Sequence, residues 1–135
     1  ASKYALEALT DALRMELQPW GIQVSIIEPG AIATPIWEKS AKEAEGLEAS
    51  VSAEGKALYG EAVIRIREAI AQAAHRAIPP VAVVRAVYHA LTAPSPRTRY
   101  LVGSDAKLRA WMVKWMPDRV QDRLLGWALK YPRES

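Results

Sequence analysis

The 135-residue chain contains no cysteine and only two histidines, and these scarcities remove whole classes of chemistry. Without a thiol there is neither a disulfide framework nor a thiolate metal site, which is compatible with a reducing compartment. His75 and His89 stand fourteen residues apart with no ligand type three or four positions beyond either, so no metal site is expected and both read as surface positions on helices. A nucleophile-elbow G-x-S-x-G is absent, as are G-x-G-x-x-G and the Walker lysine, so neither a serine hydrolase nor a phosphate-cradling loop is present. No apolar run approaches the ~18 residues of a spanning helix, and no charged-then-apolar leader opens the chain. The expectation is a soluble, cytoplasmic protein. Residue 1 is Ala, so either an initiator Met has been removed or the chain is a piece of a longer protein.

What is present describes one domain with room for a sizeable core, at 50% apolar and 24% charged residues, outside the disordered class. The formal net charge is +3, and its distribution says more than its size. Residues 1–102 hold eleven basic and eleven acidic side chains. From 103 onward Lys107, Arg109, Lys114, Arg119, Arg123, Lys130 and Arg133 outnumber Asp105, Asp118, Asp122 and Glu134. These bases are interleaved with Trp111, Trp115 and Trp127, but acids are mixed among them and no groove-reading motif accompanies them, so nucleic acid is not an expected partner. Carboxylate pairs such as Glu43 with Glu45 and Asp118 with Asp122 sit in highly charged neighbourhoods and read as solvated faces.

From Ser2 to about Gln18, Leu6, Leu9, Leu13 and Leu17 recur at helical spacing, with Ala1, Ala5, Ala8 and Ala12 as a second stripe of small side chains that lets another helix approach. Pro19 and Gly21 stop this helix. Ile22 to Ile27 begins as alternation and ends as a continuous apolar run, the pattern of a strand in a buried parallel sheet, and Pro29-Gly30 ends it. Residues 35–77 are rich in Glu and Lys, interrupted by Gly46, Gly55 and Gly60. A clearer helix follows with Leu58, Ala62, Val63, Ile66, Ile70 and Ala73 on one side. This stretch is either a solvated helix pair joined by a mobile linker or a lid over a cleft. Pro80 suits the first turn of a helix carrying Val83, Val84, Val87, Ala90 and Leu91. Arg99 to Gly103 reads as a second short strand, reached by a crossover that is right-handed by default. The tail forms two amphipathic helices with an aromatic and methionine face around Trp111, Met112, Trp115, Met116, Leu124 and Trp127. That face is expected to cover the core or a subunit contact, in preference to peripheral contact with a membrane surface.

Two motifs carry the chemistry. Lys3-Tyr4-Ala5-Leu6-Glu7-Ala8-Leu9-Thr10-Asp11-Ala12-Leu13-Arg14-Met15-Glu16-Leu17 and, twenty-six residues after Lys3, Pro29-Gly30-Ala31-Ile32-Ala33-Thr34 resemble the short-chain dehydrogenase/reductase (SDR) family from its catalytic lysine onward. The resemblance is strong over 1–36 and rests on layout alone over 37–135. It implies an α/β fold, the C-terminal part of a Rossmann-like doubly wound parallel sheet, with its last two strands, flanking helices and a mostly helical residue count. Segment 1–34 would hold the lysine helix, a strand and the cofactor turn, 35–77 the substrate loop or lid, 78–103 a helix and the last strand, and 104–135 the C-terminal helices. Strand 98–102 would lie beside 22–28.

By the same resemblance Lys3 is catalytic. Its ammonium lowers the pKa of a tyrosine and holds the nicotinamide ribose hydroxyls of NAD or NADP. Pro29 and Gly30 turn the chain past the nicotinamide, the Ile32 backbone meets the carboxamide, and the Thr34 hydroxyl meets the carboxamide or diphosphate. Ile36 and Trp37 form an apolar substrate wall, and together with Leu47, Val51 and Leu58 they point to a hydrophobic alcohol or ketone. Tyr4 directly follows Lys3 and so points roughly 100° away around the helix, and it does not replace the family's tyrosine. That tyrosine, the catalytic serine and the glycine-rich loop would all fall before Ala1. The implied function is the C-terminal portion of an NAD(P)-dependent oxidoreductase interconverting an alcohol and a carbonyl, inactive alone. The alternative is a noncatalytic, truncated oligomerisation or interaction module. Homo-oligomerisation is expected either way, because two strands leave an apolar edge open.

Overall fold

The computed structural model describes residues 1–128, apart from the side chains of residues 47–49 and 128. Lys130, Arg133 and Glu134 of the basic tail and the side chain of Leu47 therefore lie outside the described residues. The elements are helix α1 (Ser2–Leu17), a 3-10 turn (Gln18–Trp20), strand β1 (Ile26–Pro29), helices α2 (Ile36–Ser50), α3 (Ala53–His75) and α4 (Val81–Thr92), strand β2 (Arg99–Val102), and helices α5 (Ser104–Trp115) and α6 (Asp118–Ala128). They fall into two units, Ala1–Gly30 with Pro80–Lys107 and Ala31–Pro79 with the segment from Leu108 onward.

In the first unit α1 gives way to the turn containing Pro19, which closes on Gly21 at φ 70° with its N–H on the Gln18 carbonyl. β1 and β2 pair in parallel, Ile26 opposite Arg99 and Pro29 opposite Val102. The Ile26 N–H donates to the Thr98 carbonyl and the Gly30 N–H to the Val102 carbonyl, each at 2.9 Å. With a period of two, the intervening Pro29 turns its nitrogen to the outer edge, where a missing N–H breaks no bond of the pair. Tyr100 and Val102, two apart and so on one face of β2, are buried at 7% and 8% exposure. α4 packs against both strands. The Tyr100 hydroxyl accepts the Arg97 N–H at 3.0 Å and lies 2.8 Å from His89 Nδ1 on α4, the two rings meeting edge to face.

The pairing is shorter than the apolar pattern predicts. Ile22–Ser25 precede the ladder rather than extending it, because the chain opposite them contains Pro94 and Pro96 before β2 begins. Side chains reach across instead, Ser25 Oγ to the Arg97 carbonyl at 2.7 Å and Gln23 Nε2 to the Pro94 carbonyl at 3.4 Å. Pro80 stands just outside α4 as its cap, its carbonyl accepting from Val83 and Val84. β2 ends at Gly103, whose φ of 111° favours glycine. Among the described residues no strand pairs with the other edge of β1. The α1 stripe of Leu6, Leu9 and Leu13 remains exposed.

In the second unit an isolated parallel bridge joins Ile32 to Ile78, the Ala33 N–H donating to the Ile78 carbonyl and the Ile78 N–H to the Ala31 carbonyl. The expected glycine interruptions do not break the helices: Gly46 lies within α2, and Gly55 and Gly60 within α3. The break falls at Val51-Ser52, where the Ser52 hydroxyl caps α3 by accepting the Gly55 N–H at 3.1 Å. Such a cap is worth about 1 kcal/mol and offsets the similar cost of a helical glycine. Leu58, Ile66 and Ile70 of α3 are exposed. Among the described residues no helix is long and apolar enough to cross a membrane.

Candidate functional site

Lys3 occupies the first turn of α1. The helix begins without a side-chain cap, since Ala1 has no polar side chain to offer, and no acid lies in that turn. The Lys3 side chain is exposed and makes no hydrogen bond or ion pair among the described residues. Farther along the same helix a charge network forms. Arg99 of β2 donates from Nη1 to Glu7 Oε2 at 3.1 Å and to Glu28 Oε1 at 2.7 Å, and from Nη2 to Asp11 Oδ2 at 2.9 Å. Arg14 Nη1 reaches the other Asp11 oxygen at 2.6 Å. Hydrogen bonds from Arg14 and then Arg99 hold the Asp11 carboxyl below its ordinary pKa. The bonds to Glu7, Asp11 and Glu28 keep the Arg99 guanidinium charged still more firmly than an isolated arginine.

At the carboxyl end of β1 the reason for glycine is space. A Cβ at Gly30 would fall on the carboxylate of Asp105, in the first turn of α5. Gly30 is not among the positive-φ glycines, which are Gly21 and Gly103. Pro29 and Gly30 thus form a narrow strand end roofed by a carboxylate.

In the second unit, the Ile32 carbonyl accepts the Trp37 indole N–H at 2.7 Å, while the Ile32 N–H makes no hydrogen bond among the described residues. The Thr34 carbonyl accepts the Trp37 backbone N–H at 3.4 Å, and the exposed Thr34 hydroxyl is unpaired among the described residues. Thr34, Pro35, Trp37, Ala74 and His75 line an open depression of about 430 Å³. Ile36 does not line it and is 61% exposed. Neighbouring positions on a helix diverge by roughly 100°, which is why Trp37 folds back on Ile32 while Ile36 faces away.

An unpaired N–H, an unpaired hydroxyl and a carbonyl with a remaining lone pair suit an amide or other polar ligand. Three participants have no signature in the sequence: Asp105 over Gly30, Ile78 bridging Ile32, and Arg99 gathering carboxylates from α1 and β1. Each depends on partners 46 to 92 positions away along the chain, and local periodicity carries no trace of such pairs.

Parallel strands with helices against them, ending at a Pro-Gly turn, constitute part of a Rossmann-like α/β fold. The profile of the short chain dehydrogenase family matches residues 1–45. The chain is 38% identical over 139 residues to retinol dehydrogenase 5 of Mus musculus, covering 99% of this chain and 44% of that protein. It is 36% identical over 138 residues to short-chain dehydrogenase/reductase family 9C member 7 of Bos taurus, with the same coverage. To the NADPH-dependent 3-dehydrocapnine reductase of Ornithobacterium rhinotracheale it is 32% identical over 130 residues, 96% of this chain and 44% of that one. The chain belongs to the short-chain dehydrogenase/reductase family. It spans less than half the length of these curated relatives. No solved structure matches it.

Proposed function

We propose that this chain supplies part of the active site of an NAD(P)-dependent oxidoreductase that interconverts an alcohol and a carbonyl. The observation that carries this function is the exposed Lys3 ammonium at the start of α1, unpaired among the described residues, in a motif that resembles the one around the family's catalytic lysine. Lys3 holds the ribose hydroxyls of the cofactor and favours the deprotonated form of a neighbouring phenol. The Ile32 N–H meets the carboxamide and the Thr34 hydroxyl the carboxamide or diphosphate. Pro29 and Gly30 turn the chain past the nicotinamide. When bound, the cofactor gives or accepts hydride at its nicotinamide C4. NAD and NADP are both retained, and one relative is NADPH-dependent by name. The substrate class is a long apolar alcohol or its carbonyl partner, in keeping with exposed Ile36, the Trp37 ring and the retinol in the name of a relative.

The test is oxidation of a long-chain apolar alcohol by the protein that contains this chain, followed through reduced nicotinamide with each cofactor. Lys3→Ala is expected to lower turnover by roughly 10²–10⁴, the range of a lost acid–base contribution, with the fold unchanged. Near-normal turnover would remove Lys3 from the mechanism.

A second observation favours self-association: the outer edge of β1 has no partner among the described residues, and Leu6, Leu9 and Leu13 are exposed. Residues 1–135 alone are expected to sediment as an oligomer, whether as an inactive enzyme portion or as a noncatalytic interaction module. A rigid monomer would contradict both.

A further inference from the structure

Positions 3, 7, 11 and 14 of a helix fall within an arc of roughly 80°. The face of α1 that carries Lys3 is therefore the face that presents Glu7, Asp11 and Arg14. Little else fixes that face. α1 has no buried residue and no side-chain cap. Among the described residues, the hydrogen bonds that join α1 to the strands both end on Arg99. The same guanidinium binds Glu28 on β1, the diagonal neighbour on that face of the sheet, since Arg99 is paired with Ile26. One side chain thus ties the lysine helix to both strands.

The axial positions agree. Arg14, Met15 and Gln18 of α1 and the turn after it line one depression with Ile22–Ser25, while Glu7 and Asp11 share Arg99 with Glu28 farther along β1, so moving from Asp11 through Glu7 to Lys3 follows the direction in which β1 runs toward Pro29. Lys3 lies roughly 12 Å beyond Asp11 at 1.5 Å per residue. Pro29 lies about 10 Å beyond Ile26 at strand rise. A clamp at the level of Arg99 consequently sets how far Lys3 stands along the strand that ends at Pro29-Gly30.

We propose that Arg99 is a positioning residue for Lys3, holding α1 in register with the carboxyl end of β1 so that the ammonium meets the cofactor ribose. This rests on the cofactor role given to Lys3 above. Arginine suits the task because its planar fork serves three carboxylates from two nitrogens at 2.7–3.1 Å, whereas a lysine presents a single nitrogen. Arg14 keeps Asp11 oriented from the other side.

The experiment compares the intact protein with Arg99→Met, Arg99→Lys, Glu7→Gln, Lys3→Ala and the Lys3→Ala/Arg99→Met pair. Its readouts are NAD(P)H affinity by fluorescence titration and amide hydrogen exchange resolved over α1 and β2. Arg99→Met is expected to weaken cofactor binding roughly tenfold, about the effect of losing one hydrogen bond from a charged group. It is also expected to speed exchange over residues 3–11 while Tyr100–Val102 keep their protection. Arg99→Lys should recover part of both effects, and Glu7→Gln should show a smaller version of each. In the Lys3→Ala background, Arg99→Met should weaken binding no further.

Parent-like cofactor affinity in Arg99→Met, or equal loss of protection in α1 and β2, would overturn the positioning role. If Arg99→Met does not fold, parent-like affinity and exchange in Glu7→Gln would overturn it. If Lys3→Ala itself leaves affinity unchanged, the cofactor role of Lys3 fails and the clamp's purpose fails with it. If Lys3→Ala weakens binding and Arg99→Met does not, only the clamp is refuted.

Discussion

Gly30→Ala tests the packing of the strand end most directly. The new methyl would occupy the space of the Asp105 carboxylate, overlapping both oxygens and Cγ. Clearing the methyl requires the whole Asp105 carboxyl group to swing away about χ1 or the start of α5 to shift. Overpacking of this kind costs about 1–3 kcal/mol. The backbone at Gly30 is not in the left-handed region, which leaves crowding as the cause. A double-mutant cycle isolates it: Gly30→Ala, Asp105→Ala and the pair, each followed by urea unfolding of the intact protein. Asp105→Ala removes the carboxyl group and makes room for the methyl. The Gly30→Ala penalty should therefore fall by at least about 1 kcal/mol in that background, beyond the ~0.5 kcal/mol within which independent sites add. Equal penalties in both backgrounds would refute the proximity of Gly30 and Asp105 on which the argument depends.

Two further outcomes follow from the same unit. Tyr100→Phe keeps the buried ring but strips the hydroxyl from the Arg97 N–H and His89 Nδ1, and is expected to destabilise the protein by about 1–2 kcal/mol in chemical unfolding; an unchanged midpoint would mean that water replaces the hydroxyl without loss. The Asp11 carboxyl is held below its ordinary pKa by Arg14 and Arg99, so its contribution is complete above the unfolded value of roughly 3.9 and is lost as pH falls through the lower folded value. Asp11→Asn should accordingly flatten the acid limb of the stability profile below about pH 4. A limb of unchanged steepness would show that the bonds to Asp11 contribute nothing in solution.

Most of the helical layout was legible because it is local. Leucines at helical spacing before Pro19, valines after Pro80, and the two amphipathic stretches of the tail around Trp111 and Leu124 predict α1, α4 and the pair α5 and α6, each observed within a few residues. Local signals misled where the competing terms were local but small. Gly55 and Gly60 read as interruptions, yet the Ser52 hydroxyl and a run of apolar positions carry α3 through both. The apolar run from Ile22 read as strand, but a strand lasts only as long as its partner, and prolines on the opposite segment delay the first backbone bond until Ile26.

Of the candidate site, the types and order of residues came from the chain itself: Lys3 opening a helix, then Pro29-Gly30 and Ile32-x-Thr34 closing a strand, a spacing held by covalent connectivity. Tertiary structure alone decided their surroundings. It put the Asp105 carboxylate over Gly30, the Trp37 indole on the Ile32 carbonyl, and Arg99 among three carboxylates from α1 and β1. Sequence by itself determined which elements form, because helix and strand preferences are summed over neighbouring residues. Only the fold determined which charges and carbonyls meet, because hydrogen bonds and ion pairs act within about 3 Å and are indifferent to separation along the chain.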